Sequence, residues 1–166
     1  MRILGLDPGS YATGYGVVDQ AGKRLQEIDS GAICPPRTGH FLQRLSQIHE
    51  ALAELLLRFH PDEVAVENPF HALNAKIAIQ LGHARAAALL PVVKAGVPVF
   101  EYAPREVKLA VTGHGQAEKA QVARMVAILL DRSCPPVSSD ASDALAVAIC
   151  HAHRQAGLRR LKKLPA

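Results

Sequence analysis

The sequence predicts an α/β fold: a mixed five-stranded sheet, built from a three-strand antiparallel meander plus two parallel strands, with helices on both faces. Three observations predict it. The opening residues up to Ile33 carry short apolar runs separated by tight turns. Beyond Thr38 the apolar period lengthens from two to about 3.6 residues. Two short apolar runs, 64–66 and 97–101, then sit between helical stretches, the arrangement of β–α–β crossovers.

Each element follows from its residues. Residues 2–6 read as a buried strand ending at Asp7, and Pro8-Gly9-Ser10 is a turn. Residues 14–19 read as a second strand, Ala21-Gly22-Lys23 as a turn, and 24–33 as a third strand. Cys34-Pro35-Pro36 breaks the meander. From Thr38 to Phe59, Phe41, Leu45, Ile48, Leu52, Leu55, Leu56 and Phe59 recur at spacings of three and four, the pattern of an amphipathic helix. His60-Pro61-Asp62 ends it. Val64-Ala65-Val66 is a buried strand running into Glu67, stopped by Asn68-Pro69. Residues 72–95 read as an alanine-rich helix that Pro91, lacking an N–H, is expected to kink or end. A strand at 97–101, a short helix at 104–111, a loop through Gly113 and Gly115, and a helix at 116–130 follow. Ser139 reads as the N-cap of a last helix, 140–155. Residues 1–156 thus form one domain, and 157–166 read as a basic C-terminal tail for which disorder is an open reading.

Composition narrows the function. At 166 residues and 49% hydrophobic, the chain suits one folded domain rather than a disordered segment. No apolar run approaches the ~20 residues that span a bilayer, and the start MRILGLDPG lacks the apolar stretch of a signal peptide. The three cysteines, Cys34, Cys134 and Cys150, are odd in number and widely spaced, arguing for a reducing, cytoplasmic setting. Net charge is +4, yet no acid follows Asp143, while Arg154, Arg159, Arg160, Lys162 and Lys163 do. The basic excess is therefore C-terminal, and bulk charge alone does not decide between an anionic partner and a solvated tail.

Four acids fall where chain ends are expected to meet. Asp7 ends the first strand and Glu67 the fourth; parallel neighbours would put both carboxylates at one sheet edge, where ligands bind in such sheets. Asp140 and Asp143, three residues apart, share a face at the start of the last helix. Four crowded carboxylates repel and raise one another's pKa values, a conflict that hard divalent cations such as Mg2+ or Mn2+ resolve. Two such ions can activate a water and stabilise a leaving oxygen in phosphodiester hydrolysis, with Asp7 as the natural bridge. Singly, each acid also fits a plainer role: an Asx turn at Asp7-Pro8-Gly9, a solvated strand end at Glu67, helix-dipole partners at Asp140 and Asp143. The joint pattern favours metal-dependent phosphate chemistry.

Ile-Leu-Gly-Leu-Asp-Pro-Gly-Ser (3–10), with Thr13-Gly14-Tyr15-Gly16-Val17-Val18, resembles the opening of the RuvC family of bacterial Holliday-junction resolvases. Ala65-Val66-Glu67 with Phe70 and Asn74, Leu81-Gly82 with Ala84-Arg85, residues 98–102, Val107-Lys108, Gly115 with Ala117-Glu118-Lys119, and residues 140–146 continue the likeness in order. It spans about residues 2–153. The resemblance implies a ribonuclease-H-like fold and a homodimer joined through the 72–95 helix. It implies paired symmetric nicks in four-way DNA junctions, leaving 5′-phosphate and 3′-hydroxyl ends, in recombination and repair. It makes Asp7, Glu67, Asp140 and Asp143 the catalytic acids holding two Mg2+ or Mn2+ ions. It puts Lys108 and Lys119 near the DNA backbone and Phe70 at the junction-facing loop, with a branch-migration helicase complex of RuvA–RuvB type as partner. Some relatives carry His in place of one C-terminal acid; here both are Asp. Pro69 and Pro91 are local departures, and residues 157–166 receive nothing from the likeness.

Several residues keep two readings at this point. Lys108 and Lys119 read singly as surface lysines, Phe70 as a core anchor instead of a stacking group, and Gly113 and Gly115 as a turn instead of a close approach to a strand. His151 and His153 point to different faces of a helix and do not share a zinc, while His151 lies two turns past Asp143, within reach of a supporting role. Rival functions are a sugar-kinase or actin-like ATPase, which needs two such domains, a related nuclease on other branched or RNA-containing substrates, and a junction-binding protein without cleavage.

Overall fold

The computed structural model describes residues 1–38, 40–68, 74–134, 136 and 138–161, the side chains of 159–161 excepted. Its strands are β1 (Arg2–Asp7), β2 (Thr13–Ala21), β3 (Arg24–Ile33), β4 (Glu63–Glu67) and β5 (Val99–Tyr102). Its helices are α1 (Phe41–Phe59), α2 (Ala75–Lys94), α3 (Pro104–Thr112), α4 (Lys119–Leu129) and α5 (Ser139–Leu161). The sheet order is β3-β2-β1-β4-β5, with β1–β2 and β2–β3 antiparallel and β1–β4 and β4–β5 parallel. The expected meander and crossovers are therefore present, and β1 lies at the centre.

Side-chain alternation along the central strands builds two cores. Leu4, Leu6, Val64 and Val66 point toward α1 and α2, packing with Ile48, Leu52, Leu56, Ala84, Ala88 and Val92. Ile3 and Ala65 point the other way, into a core with Val107, Val122, Val126, Leu145 and Ile149 from α3, α4 and α5. Nearly every core side chain is aliphatic or alanine.

Several boundaries differ from the sequence expectation. α1 starts at Phe41 because the Gln43 side chain accepts the His40 N–H at 3.1 Å, closing the end with a local bond. α4 starts at Lys119 rather than 116 for the same reason: the Gln121 side chain accepts the Glu118 N–H at 2.9 Å. Pro91 does not end α2, which runs to Lys94. A proline one turn from a helix end forfeits a single backbone bond, and the buried Pro91 ring packs into the core. α5 is capped by Ser138, not Ser139: the Ser138 Oγ accepts the Ala141 N–H at 3.4 Å. α5 also continues through Leu161, so residues 157–161 of the expected tail are helical. Residues 162–166 lie outside the described residues. Among the described residues no helix is long and apolar enough to cross a membrane.

Candidate active site

The parallel register pairs Leu6 with Val66, so the next residues along, Asp7 and Glu67, end their strands side by side. Odd-numbered positions of both strands face α5: Ile3 and Ala65 lie in that core, and Gly5 abuts Ala144 and Ala148. Asp7 and Glu67 continue this alternation onto the α5 side of the sheet edge.

Three glycines let α5 descend to them. A Cβ at Gly14, the cross-strand partner of Asp7, would lie 2.0 Å from the Asp140 carbonyl oxygen. At Gly5 it would lie 2.1 Å from the Ala144 carbonyl oxygen, and at Gly16 2.7 Å from Leu145 Cδ2. At Gly5 and Gly14, where the opposing atoms are backbone, such packing admits only hydrogen on the Cα. With Ala141, Ala144 and Ala148 on the facing helix, it sets the first turn of α5, and so Asp140 and Asp143, over the ends of β1 and β2.

Electrostatics shows that the acids share one field. Burial raises the Asp7 carboxyl from 3.8 to about 6, with Asp143 and Asp140 adding repulsion and Lys119 opposing it. Burial raises Glu67 from 4.5 to about 7, with Asp7 and Asp143 adding repulsion and Lys119 and Lys108 opposing it. The Lys119 ammonium donates to Asp143 at 2.8 Å, and that bond, reinforced by Asp7 and Glu67, holds the lysine above its ordinary value. Lys119, which the likeness puts near DNA, thus sits among the acids, and Lys108 is close enough for Glu67 to feel its charge. Phe70 and Pro69 lie outside the described residues.

The four carboxylates share one edge without being closed around an ion: among the described residues no three His, Cys, Asp or Glu side chains converge tightly enough to hold a metal as they stand. The donor set nevertheless fits one. It is entirely carboxylate oxygen, suited to hard cations, and two of its members are raised in pKa by burial and mutual repulsion, which a bound cation relieves.

Arg85 on α2 acts on this edge from the opposite face of the sheet. Its Nη1 donates to the Glu67 backbone carbonyl at 2.6 Å, and its Nη2 lies 3.0 Å from Glu101 on β5. The Asn68 N–H donates to the Tyr102 carbonyl at 2.8 Å, so the chain leaving β4 is held from two sides. No periodicity marks such a residue; the 18-residue separation between Arg85 and Glu67 becomes a contact only in the fold. His151 is fully buried and bonds Tyr102 Oη at 2.7 Å and Glu63 at 2.5 Å. Glu63 begins β4, the end away from Glu67, so His151 ties α5 to the sheet instead of serving the acids. His153 bonds the Ala110 carbonyl at 3.0 Å. Gly113, at φ 77°, is the left-handed C-cap of α3, a turn residue.

The model of the family described as crossover junction endodeoxyribonuclease RuvC matches residues 3–151. The chain belongs to that family. A RuvC of Pelobacter propionicus is 52% identical over 154 residues, covering 92% of this chain and 86% of the relative. One of Citrifermentans bemidjiense is 50% identical over 164 residues, covering 98% of each. Thermus thermophilus RuvC in complex with a Holliday junction substrate superposes with a TM-score of 0.89 at 35% identity, over 95% of this chain and 96% of that one. The yeast mitochondrial resolvase Ydc2, at 16% identity and a TM-score of 0.70, shares the fold. This is the ribonuclease-H-like architecture expected of the family, and membership makes the chain an endonuclease of DNA junctions.

Proposed function

We propose that the protein resolves four-way DNA junctions as a homodimer, each protomer cutting one strand by hydrolysis at Asp7, Glu67, Asp140 and Asp143. The observation that carries this reading is the meeting of Asp7 and Glu67 on adjacent parallel strand ends, beneath a helix whose first turn brings two further acids into the same field.

These carboxylates would hold two Mg2+ or Mn2+ ions, which when bound supply an activated water and stabilise the departing 3′ oxygen. Asp7, on the central strand, would be one of the residues holding them. Glu67 takes its place because Arg85 fixes the peptide beneath it. Asp140 and Asp143 are presented together by a capped helix start pressed against Gly14. Lys119 neutralises the edge through Asp143 and is exposed enough to turn toward a phosphate oxygen, while Lys108 adds positive charge beside Glu67. Phe70, three residues past Glu67 in the sequence, would stack on an unpaired base at the crossover.

The homodimer reading rests on α2. Ile79, His83, Ala86, Leu90 and Val93 alternate at spacings of four and three, and all keep part of their surface open; Ile79, Leu90 and Val93 retain 60%, 52% and 65% of theirs. This is a coiled-coil seam with a small residue at its middle. A two-fold axis there would present two equivalent acid edges to two symmetric strands. Family likeness adds a branch-migration helicase of RuvA–RuvB type as partner and the cytoplasm as location.

The test is incubation of the protein with a synthetic four-way junction and Mg2+ or Mn2+, beside linear duplex and RNA–DNA hybrid controls. Paired symmetric nicks unique to the junction are expected. Cleavage confined to the hybrid would replace this reading with a ribonuclease; binding without cleavage would replace it with a structural junction protein.

A further inference from the structure

A second positively charged feature lies on the same sheet edge, outside the acid cluster. Arg44, in the first turn of α1, retains only 7% of its accessible surface. Its Nε is sealed from solvent without a hydrogen-bond partner, and among the described residues no carboxylate pairs with its guanidinium. Its guanidinium carbon lies 4.7 Å from the Tyr11 ring centroid and 5.4 Å from that of Phe41. Arg37, exposed, approaches the same Tyr11 ring at 5.6 Å. The first turn of α1 carries no acid, so its N-terminal partial positive charge adds to both arginines.

A buried, unpaired charge is costly, and two aromatic faces return only part of that cost. An anion would complete the arrangement. Topology says where that anion comes from. Tyr11 is in the turn joining β1 to β2, four residues past Asp7, and Asp7 pairs with Gly14 across it. β3 ends beside that pair, with Ile33 opposite Thr13, and leads into the start of α1. The arginines therefore flank the acid edge on the α1 side of the sheet, opposite the lysines of α3 and α4.

We propose that Arg44 and Arg37, arranged around the Tyr11 ring, form a binding subsite for a backbone phosphate of the DNA strand, away from the scissile position. The planar guanidinium of Arg44, held close to the Tyr11 and Phe41 rings, has the fork geometry for paired hydrogen bonds to phosphate oxygens. The proposal rests on the nuclease reading and adds to it an anchor that fixes the strand's path.

The experiment measures the affinity of the full-length protein for a synthetic four-way junction in EDTA, at salt concentrations between about 50 and 200 mM. Removing one arginine–phosphate pairing lowers the slope of log affinity against log salt by about 0.9 on duplex, or about 0.7 on single strand. Arg44→Met, which keeps apolar bulk beside the rings, is expected to lower the slope by that amount, and Arg44→Lys to retain it. Arg37→Gln, at an exposed position with little effect on folding, is expected to lower the slope as well and carries the test if Arg44→Met does not fold. A purely structural Arg44 would change the melting temperature and leave the slope alone. Wild-type slopes in both Arg37→Gln and Arg44→Met, or in Arg37→Gln alone where Arg44→Met does not fold, overturn the subsite. Failure of the wild-type protein to bind the junction at all overturns the nuclease reading and the subsite with it.

Discussion

Replacing Asp7 with Asn should make the metal-free protein more stable while abolishing cleavage. The Asp7 carboxyl is raised from 3.8 to about 6, first by burial and then by Asp143 and Asp140. One pH unit is worth about 1.36 kcal/mol, so holding Asp7 ionised at neutral pH costs the metal-free fold about 3 kcal/mol. An amide removes that charge but still needs partners, leaving a net gain of about 2 kcal/mol, or roughly 4–8 °C for a domain of this size. The sign of the pH dependence follows. The folded state holds the Asp7 proton to higher pH than the unfolded chain, so the stability this group contributes is complete below 3.8 and lost as pH rises through about 6. Thermal unfolding in EDTA should show the wild-type midpoint falling between about pH 4 and pH 7 with a steeper slope than Asp7→Asn. Adding Mg2+ at neutral pH should raise the wild-type midpoint more than that of the variant. Junction binding should survive the substitution. An Asp7→Asn protein that melts at or below the wild-type temperature in EDTA at neutral pH would refute the electrostatic reasoning; retained cleavage would refute the metal role.

Three further variants probe the supports of the site and the α2 seam. Gly14→Ala sets a methyl 2.0 Å from the Asp140 carbonyl and should cost about 1–3 kcal/mol, read by urea denaturation, with cleavage falling further than stability because the start of α5 is lifted off Asp7. Arg85→Met frees the Glu67 carbonyl and should lower kcat about ten- to a hundredfold with little change in junction affinity, measured by single-turnover cleavage over a metal titration. Leu90→Glu combined with Val93→Glu should give monomers by analytical ultracentrifugation and should uncouple the two nicks, with the fold intact by circular dichroism because both positions are exposed.

Much of this was legible in the residues because it is local. The alternating runs of β1 to β3, the apolar stripe of α1 and the two short parallel strands each declare themselves within a window of about ten to twenty residues. Asp7 and Glu67 stood out because they end strands, and Asp140 and Asp143 because they begin a helix. What escaped depends on contacts between distant segments. Gly5, Gly14 and Gly16 look like ordinary strand weakeners until α5 is laid against them. Arg85 reads as part of a helical likeness until its guanidinium is found on the Glu67 carbonyl, and Arg44 as the polar face of an amphipathic helix until Tyr11 folds over it. Pro91 misled for a related reason: core packing holds the last turn of α2 where local hydrogen bonding predicts a break. The capping serine moved by one residue because Ser138 and Ser139 offer the same hydroxyl and only the turn geometry chooses between them.

The order of the strands has a consequence for how the protein is made. Asp7 leaves the ribosome well before its partners: β4 begins only at Glu63, and α5 only at Ser139. Domains generally fold as units, at synthesis rates of roughly 5–20 residues per second. A nascent chain carrying residues 1–130 has the meander and one acid pair but no lid on the glycine-lined surface of β1 and β2. On the proposed reading the acid edge is complete only once α5 docks, so chains that end before Ser139 should not cleave junctions.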